Sequence, residues 1–211
     1  MTYVPDPRPR SELAEVEPHS PGELKAIFKY PLRIMELVLT EQERLSKTIV
    51  SGANPMLLAG TLLYTSVLFS LPYGAVLGIS RFWHIAVLFV GSLLICFPSL
   101  QVFSLYIGCR VNHRQNLALG LVITCVAAIF TFGFFPILWF LRATMLEDSR
   151  ISPRQISVAL LAFSLFAGVA HLFRCLRRVQ PLIGTYPLLM ACWLGLFTFI
   201  TQRMARLLDL L

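Results

Sequence analysis

Charge is scarce in this sequence. Asp, Glu, Lys and Arg make up only 14% of its 211 residues, whereas 56% are apolar. A soluble domain carries about 25% charged residues, so this chain has too few charges to cover a water-exposed surface. The scarcity excludes a soluble enzyme and a disulfide-stapled secreted domain, and the 16 Phe residues exclude a disordered chain. The composition indicates a polytopic membrane protein.

Five stretches of the chain contain no charged residue. Each reaches the roughly 18–20 residues that a helix needs to cross a hydrocarbon core about 30 Å thick. The predicted spans cover approximately residues 56–79, 83–107, 117–141, 156–173 and 181–201. We therefore expect an all-α fold, a transmembrane bundle of five spans that occupies residues 53–211.

Lys and Arg are distributed unevenly around these spans. With the N-terminus inside, twelve of the 18 lie on the inner side, and the positive-inside rule favours this orientation with the C-terminus outside. No secretory signal peptide is recognisable before the first span. We expect the cytoplasmic (inner) membrane of a bacterium, with an internal eukaryotic membrane as the alternative.

The first fifty residues are polar by comparison. Residues 1–22 predict a flexible, Pro-rich tail, and residues 23–52 predict an amphipathic helix followed by a short polar one. Lys25, Lys29 and Arg33 fall with Glu36 on a stripe about 80° wide. We expect this amphipathic N-terminal helix to lie on the cytosolic side with its cations toward anionic lipid. The alternative is that it packs on the protein's own spans.

The predicted spans contain prolines and hydroxyl side chains but no charge, which weakens any interpretation as an ion-coupled transporter. Pro98 falls within the second span with Ser99 and Gln101 close by. A proline there frees a backbone carbonyl, which needs a new partner or water. This region is a possible substrate site, or a kink that serves packing, and we favour the kink.

Two pairs of metal-ligating residues have helical spacing: Cys109 with His113, and His171 with Cys175. The two members of each pair are four positions apart (i and i+4), so both lie on the same face of a helix. Two thiolates with two imidazoles can bind zinc tetrahedrally. The arginines on the same predicted surface would repel a cation, which weighs against the site. Acylation or simple apolar packing of the two cysteines are the alternatives. We expect no metal and no cofactor.

Those arginines form a basic collar at the predicted inner surface. A role in binding anionic lipid headgroups, at about 1 kcal/mol for each cation near the surface, is the favoured interpretation. In the second interpretation the arginines only set the orientation of the chain in the membrane, and the two roles are compatible. The collar consists of Arg110, Arg114, Arg174, Arg177 and Arg178.

Several short motifs resemble a known family. Pro98 within the second span, Gly108 at its inner end, the Arg114-Gln115 loop with Leu117, and Pro136 late in the third span are similar to bacterial Yip-type five-span membrane proteins. Residues 35–41 also resemble the segment before the first span in some bacterial members. The resemblance covers roughly residues 35–200 and implies an α-helical scaffold or adaptor without catalytic residues. The acidic-Tyr-Gly-Pro signature of the eukaryotic members is absent before the first span.

No nucleophile elbow, phosphate loop or carboxylate pair is present, and we expect no enzymatic activity. We expect a scaffold or accessory subunit that binds membrane lipids and other membrane proteins and no nucleic acid. Small residues in the spans would pack against these partners: Gly60, Gly91, Gly120 and Gly168. The alternative is a small transporter or channel for a neutral or lipid-like substrate.

Overall fold

The computed structural model describes residues 32–51, 55–78, 82–106, 112–144, 153–179 and 187–208, with positions 22, 26, 30 and 210. In these ranges the fold is all-α. Nearly all of the predicted tail over 1–22 lies outside the described residues, and so do Lys25 and Lys29. The helices are α1 (Arg33–Leu39), α2 (Gln42–Ser51), α3 (Pro55–Leu77), α4 (His84–Tyr106), α5 (His113–Thr144), α6 (Pro153–Val179) and α7 (Pro187–Leu207).

Four of the described helices are long and apolar enough to cross a membrane. They are α3, α4 and α5 over their full lengths, and α6 over Gln155–Leu172. These helices agree with the first four predicted spans and are compatible with a multi-pass membrane protein. The fifth predicted span falls on α7, which is not among the four. α7 has 21 residues, and Arg203 and Arg206 interrupt the apolar sequence toward its end.

Helix α5 is the centre of the bundle. It contacts α3, α4 and α6, and every residue from Ala118 to Ile129 is buried. The sequence explains this position, because a helix that is apolar on all sides and rich in small residues can be surrounded by others. Helix α7 contacts α4 on the side of the bundle.

Glycines allow the helices to approach closely inside this bundle. A Cβ at Gly168 of α6 would lie 2.6 Å from the Ile123 carbonyl oxygen of α5, and one at Gly120 would lie 2.8 Å from Leu93. Gly91 faces the Met204 side chain of α7. The expectation that these three glycines face other proteins is therefore wrong, because each packs against a helix of the same chain. Gly60 is exposed, with no atom within 4 Å of the position of a Cβ.

The two short N-terminal helices pack on one end of the bundle. Helix α1 contacts α2 and α5, and α2 contacts α5 and α6. Ile34 and Val38 of α1 are fully buried, as are Leu45 and Ile49 of α2. Over residues 33–51 the structure thus agrees with the alternative interpretation, in which the amphipathic segment packs on the protein itself.

Candidate functional site

A row of hydroxyl side chains lies between α3 and α5. Ser66, the middle residue of α3, lies 3.2 Å from the Thr124 hydroxyl of α5, and this contact is buried. Because each hydroxyl has a single proton, one of the two donates to the other, while the second donates to a carbonyl of its own helix, Leu62 for Ser66 or Leu121 for Thr124. Because small side chains face each other here, the two helices can pack closely and share one hydrogen bond.

Three other buried hydroxyls also donate to backbone carbonyls of their own helices. Thr61 donates to the Leu58 carbonyl, Thr65 to that of Thr61, and Thr131 to that of Ala128. Each bond is made within a single helical turn, which satisfies the hydroxyl without a ligand. The row therefore serves helix packing.

A second polar cluster joins the facing ends of α4 and α5. The Asn116 side-chain amide donates to the Gln101 side-chain carbonyl at 2.8 Å. The single proton of the Ser104 hydroxyl is shared between the Leu100 carbonyl at 2.8 Å and the Asn116 side-chain oxygen at 3.2 Å. Asn116 is 2% exposed. Its position follows from the short connection between α4 and α5, which brings the last turns of α4 beside the first turns of α5. We call Gln101, Ser104 and Asn116 the amide cluster.

The amide cluster changes the interpretation of the predicted break at Pro98. Helix α4 continues from His84 to Tyr106 through Pro98, which is exposed. The Ser99 hydroxyl donates to the Cys96 carbonyl at 2.7 Å, and Gln101 is engaged by Asn116. Ser99 and Gln101 thus bond to the protein itself rather than to a site opened by an interrupted helix. Sequence reasoning missed Asn116, whose pairing depends on the register between two helices.

The predicted zinc ligands fall in different surroundings. His113 is exposed at the first position of α5, and His171 is buried within α6. Cys109 lies outside the described residues, as does the side chain of Cys175. In the part of the chain that the structure describes, no three His, Cys, Asp or Glu residues form a group able to hold a metal ion.

The side chains of the basic collar are described at two positions, Arg114 and Arg174, and Arg33 of the N-terminal stripe is described beside them. Arg33 of α1, Arg114 of α5 and Arg174 of α6 are all exposed. Arg114 lies at the start of α5 and Arg174 near the end of the antiparallel α6, so both belong to the end of the bundle on which α1 packs. Arg110 lies outside the described residues, as do the side chains of Arg177 and Arg178.

The opposite end of the bundle is held by two long polar side chains. The Tyr73 hydroxyl of α3 donates to the Ser157 carbonyl of α6 at 2.6 Å, and Tyr73 is fully buried. The Arg142 guanidinium of α5 donates to the Val76 carbonyl in the last turn of α3, where a cation is favourable. Trp139 is 60% exposed nearby, as expected for an aromatic residue at a membrane interface.

Helix α7 has two clearly different sides. Trp193, Phe197 and Ala205 are buried on one side. The other side is exposed, and the Arg203 guanidinium carbon lies there 5.4 Å from the centre of the Phe199 ring. We call this side the outer α7 face; its residues are Gly195, Leu196, Phe199, Arg203 and Arg206.

Comparisons with protein-family models, with curated proteins and with solved structures find no match to this chain.

Proposed function

We propose that this chain is a non-enzymatic scaffold or accessory subunit of a larger membrane protein complex. In this proposal α7 is a fifth membrane-embedded helix, the N-terminus is cytoplasmic and the C-terminus lies outside, in the cytoplasmic membrane of a bacterium. The distribution of Lys and Arg supports the orientation. The resemblance to Yip-type proteins supports a scaffold or adaptor role.

The observation that carries the proposal is a set of exposed glycines. Gly60 of α3, Gly133 of α5 and Gly195 of α7 are exposed, and nothing lies within 4 Å of where a Cβ would be. A glycine in a helix costs about 1 kcal/mol relative to alanine, and lipid chains do not offset that cost. Small residues on exposed helix faces let the backbone of another helix approach closely. Three such positions on three helices fit docking by other membrane subunits.

The polar interior also supports a packing role. Ser66 bonds to Thr124 and Asn116 bonds to Gln101, so these polar side chains hold helices together. A route for a neutral substrate through Ser99 and Gln101 is not proposed, because both side chains already bond within the protein. At the basic end, we propose that the arginine collar and Arg33 of α1 contact anionic lipid headgroups, with Arg114 and Arg174 of the collar and Arg33 exposed for that contact.

Extraction from the native membrane in mild detergent tests the proposal. We expect an assembly larger than the 23.8 kDa chain that retains other membrane proteins in fixed stoichiometry. Gly60→Ile, Gly133→Ile and Gly195→Ile place bulk on the three docking faces, and we expect at least one of them to release a partner. Leu94→Ile, at a position 67% exposed, is the matched control and should retain every partner. A lone chain or a homo-oligomer in the wild type would contradict the proposal.

A further inference from the structure

The depth of Arg203 in the bundle follows from three contacts between helices. Met204 of α7 lies against Gly91 of α4, which is about 10 Å along the axis from the start of α4 and about 6 Å from its midpoint. Two residues beyond Gly91, Leu93 contacts Gly120 of α5. One turn further along α5, Thr124 meets Ser66, the middle residue of α3. Arg203 therefore lies within the length of the helices that are able to cross the membrane, about 6 Å from the midpoint of α4 toward its start.

This depth differs from the sequence expectation. A fifth span over 181–201 places Arg203 in the outer headgroup layer, whereas the register with α4 places it in the hydrocarbon layer. An exposed charge at that depth is costly. Ionisable residues inside a membrane usually pair with another polar or charged group. The Arg203 guanidinium is held above Phe199, one turn back along α7, which partly compensates its desolvation.

Within the part of the chain that the structure describes, Arg203 has no carboxylate partner. Among the described residues the recorded ion pair joins Arg44 to Glu41 in the N-terminal region, and no Asp or Glu occurs in α3 through α7. Asp209 lies outside the described residues and six positions after Arg203.

Two other occupants of the outer α7 face fit less well. Lipid phosphates lie outside the hydrocarbon layer, whose edge is about 15 Å from the membrane centre, and the guanidinium turns along α7 toward Phe199. A second copy in the same orientation would bring Arg203 opposite its own symmetry mate, and like charges repel strongly where water is excluded. A carboxylate on another protein's membrane helix matches both the charge and the depth.

We propose that the outer α7 face docks against a membrane-spanning helix of a partner subunit that carries an Asp or Glu at the depth of Arg203. This inference rests on the proposed accessory-subunit function and names the chemistry of one partner. Gly195, exposed on the same face, lets the partner backbone approach closely, and Phe199 holds the guanidinium against the outer α7 face.

Photo-crosslinking in native membranes tests the docking. Benzoylphenylalanine replaces Leu196 on the outer α7 face or, as the control site, Phe166 on α6, which is 69% exposed. We expect the Leu196 position to give an adduct with a membrane helix that contains Asp or Glu about two turns from the crosslinked residue, because Leu196 and Arg203 are seven residues apart on α7. Arg203→Gln should lower the adduct yield at least tenfold, and Arg203→Lys should retain most of it. Asp209→Asn should leave it unchanged.

The outcomes separate the two proposals. An adduct yield unchanged by Arg203→Gln, or an adduct with lipid, with a second copy or with a helix lacking acidic residues, would overturn the docking by charge. Partner proteins crosslinked only at the control site Phe166 on α6 would also overturn the docking proposal, but they would leave the accessory-subunit function standing. If the wild type retains no partner at either site, both proposals fail. Recovery of the adduct by pairing Arg203→Glu with a lysine in place of the partner's carboxylate would establish the contact.

Discussion

At the scale of single residues, the same amino acid has opposite roles in this chain depending on what surrounds it. Gly168 lies where the backbone of α5 passes so close that a Cβ would be 2.6 Å from the Ile123 carbonyl oxygen. Gly60 lies where nothing approaches within 4 Å. The sequence shows both as glycines in apolar helices, and only the packing separates a structural requirement from an open docking position.

Gly168→Ala should destabilise the isolated protein by about 1–3 kcal/mol, because the new methyl group overlaps backbone that cannot move aside as a side chain can. Gly60→Ala should be neutral or stabilising by up to about 1 kcal/mol, because alanine is the better helix former. Unfolding in mixed micelles with increasing SDS measures both. Equal effects of the two substitutions would mean that α5 and α6 do not approach as closely as described.

The amide cluster predicts a coupled effect. Asn116→Ala removes the bond to Gln101 and one of the two acceptors of Ser104, and it should cost about 0.6–1.7 kcal/mol, the range measured for hydrogen bonds between membrane helices. Gln101→Ala in the Asn116→Ala background should then add less than it costs alone. A double-mutant cycle on the same unfolding assay measures this coupling, and strict additivity would argue against a direct bond.

The amide cluster also shows what the sequence could not reveal at this scale. Gln101 is identifiable from the sequence as a polar residue within a span, and its proximity to Pro98 left a substrate site and a packing kink as alternatives, with the kink favoured. Its partner Asn116 is fifteen residues away on the next helix. Hydropathy patterns fix which residues are helical but not how two helices are aligned along their axes, so this pairing required the structure.

At the scale of whole helices, one hydrogen bond joins α3 to α6 at one end of the bundle. The Tyr73 hydroxyl of α3 donates to the Ser157 carbonyl of α6. Tyr73→Phe keeps the ring and removes this bond, so it should lower the free energy of unfolding by about 0.5–1.5 kcal/mol. Tyr106→Phe, at a position 75% exposed, is the control and should have little effect. Two equal effects in the micelle assay would contradict a specific role for the Tyr73 hydroxyl.

The N-terminal helices show a different limit of sequence reasoning. A stripe of cations beside an apolar face fits a helix lying on lipid and equally a helix packed on protein, because both surroundings accept apolar side chains. In the structure Ile34 and Val38 of α1 are buried in the bundle, while Arg33 is exposed. Helix positions could be anticipated from the pattern, but what covers the apolar face depends on contacts with α5 and α6.

At the scale of the whole molecule, composition and charge-free length anticipated the helical fold and the first four spans. They described α7 less well, because its apolar start and its arginine-containing end lie on one continuous helix. A hydropathy window treats those arginines as the end of a span. The contact of Met204 with Gly91 instead places Arg203 beside the first half of α4, about 6 Å from its midpoint, which is tertiary information that no window contains.

The orientation of the whole molecule gives a further prediction, which follows from the positive-inside distribution of Lys and Arg. Asn112 and Thr144 are exposed at opposite ends of α5, at the predicted cytoplasmic and outer surfaces. With the five native cysteines replaced by alanine, Thr144→Cys in intact cells should react with a membrane-impermeant maleimide. Asn112→Cys should react only after the cells are opened. The reverse pattern would place the N-terminus outside, and the arginine collar would then lie on the outer surface, away from the anionic inner leaflet on which its proposed role in lipid binding depends.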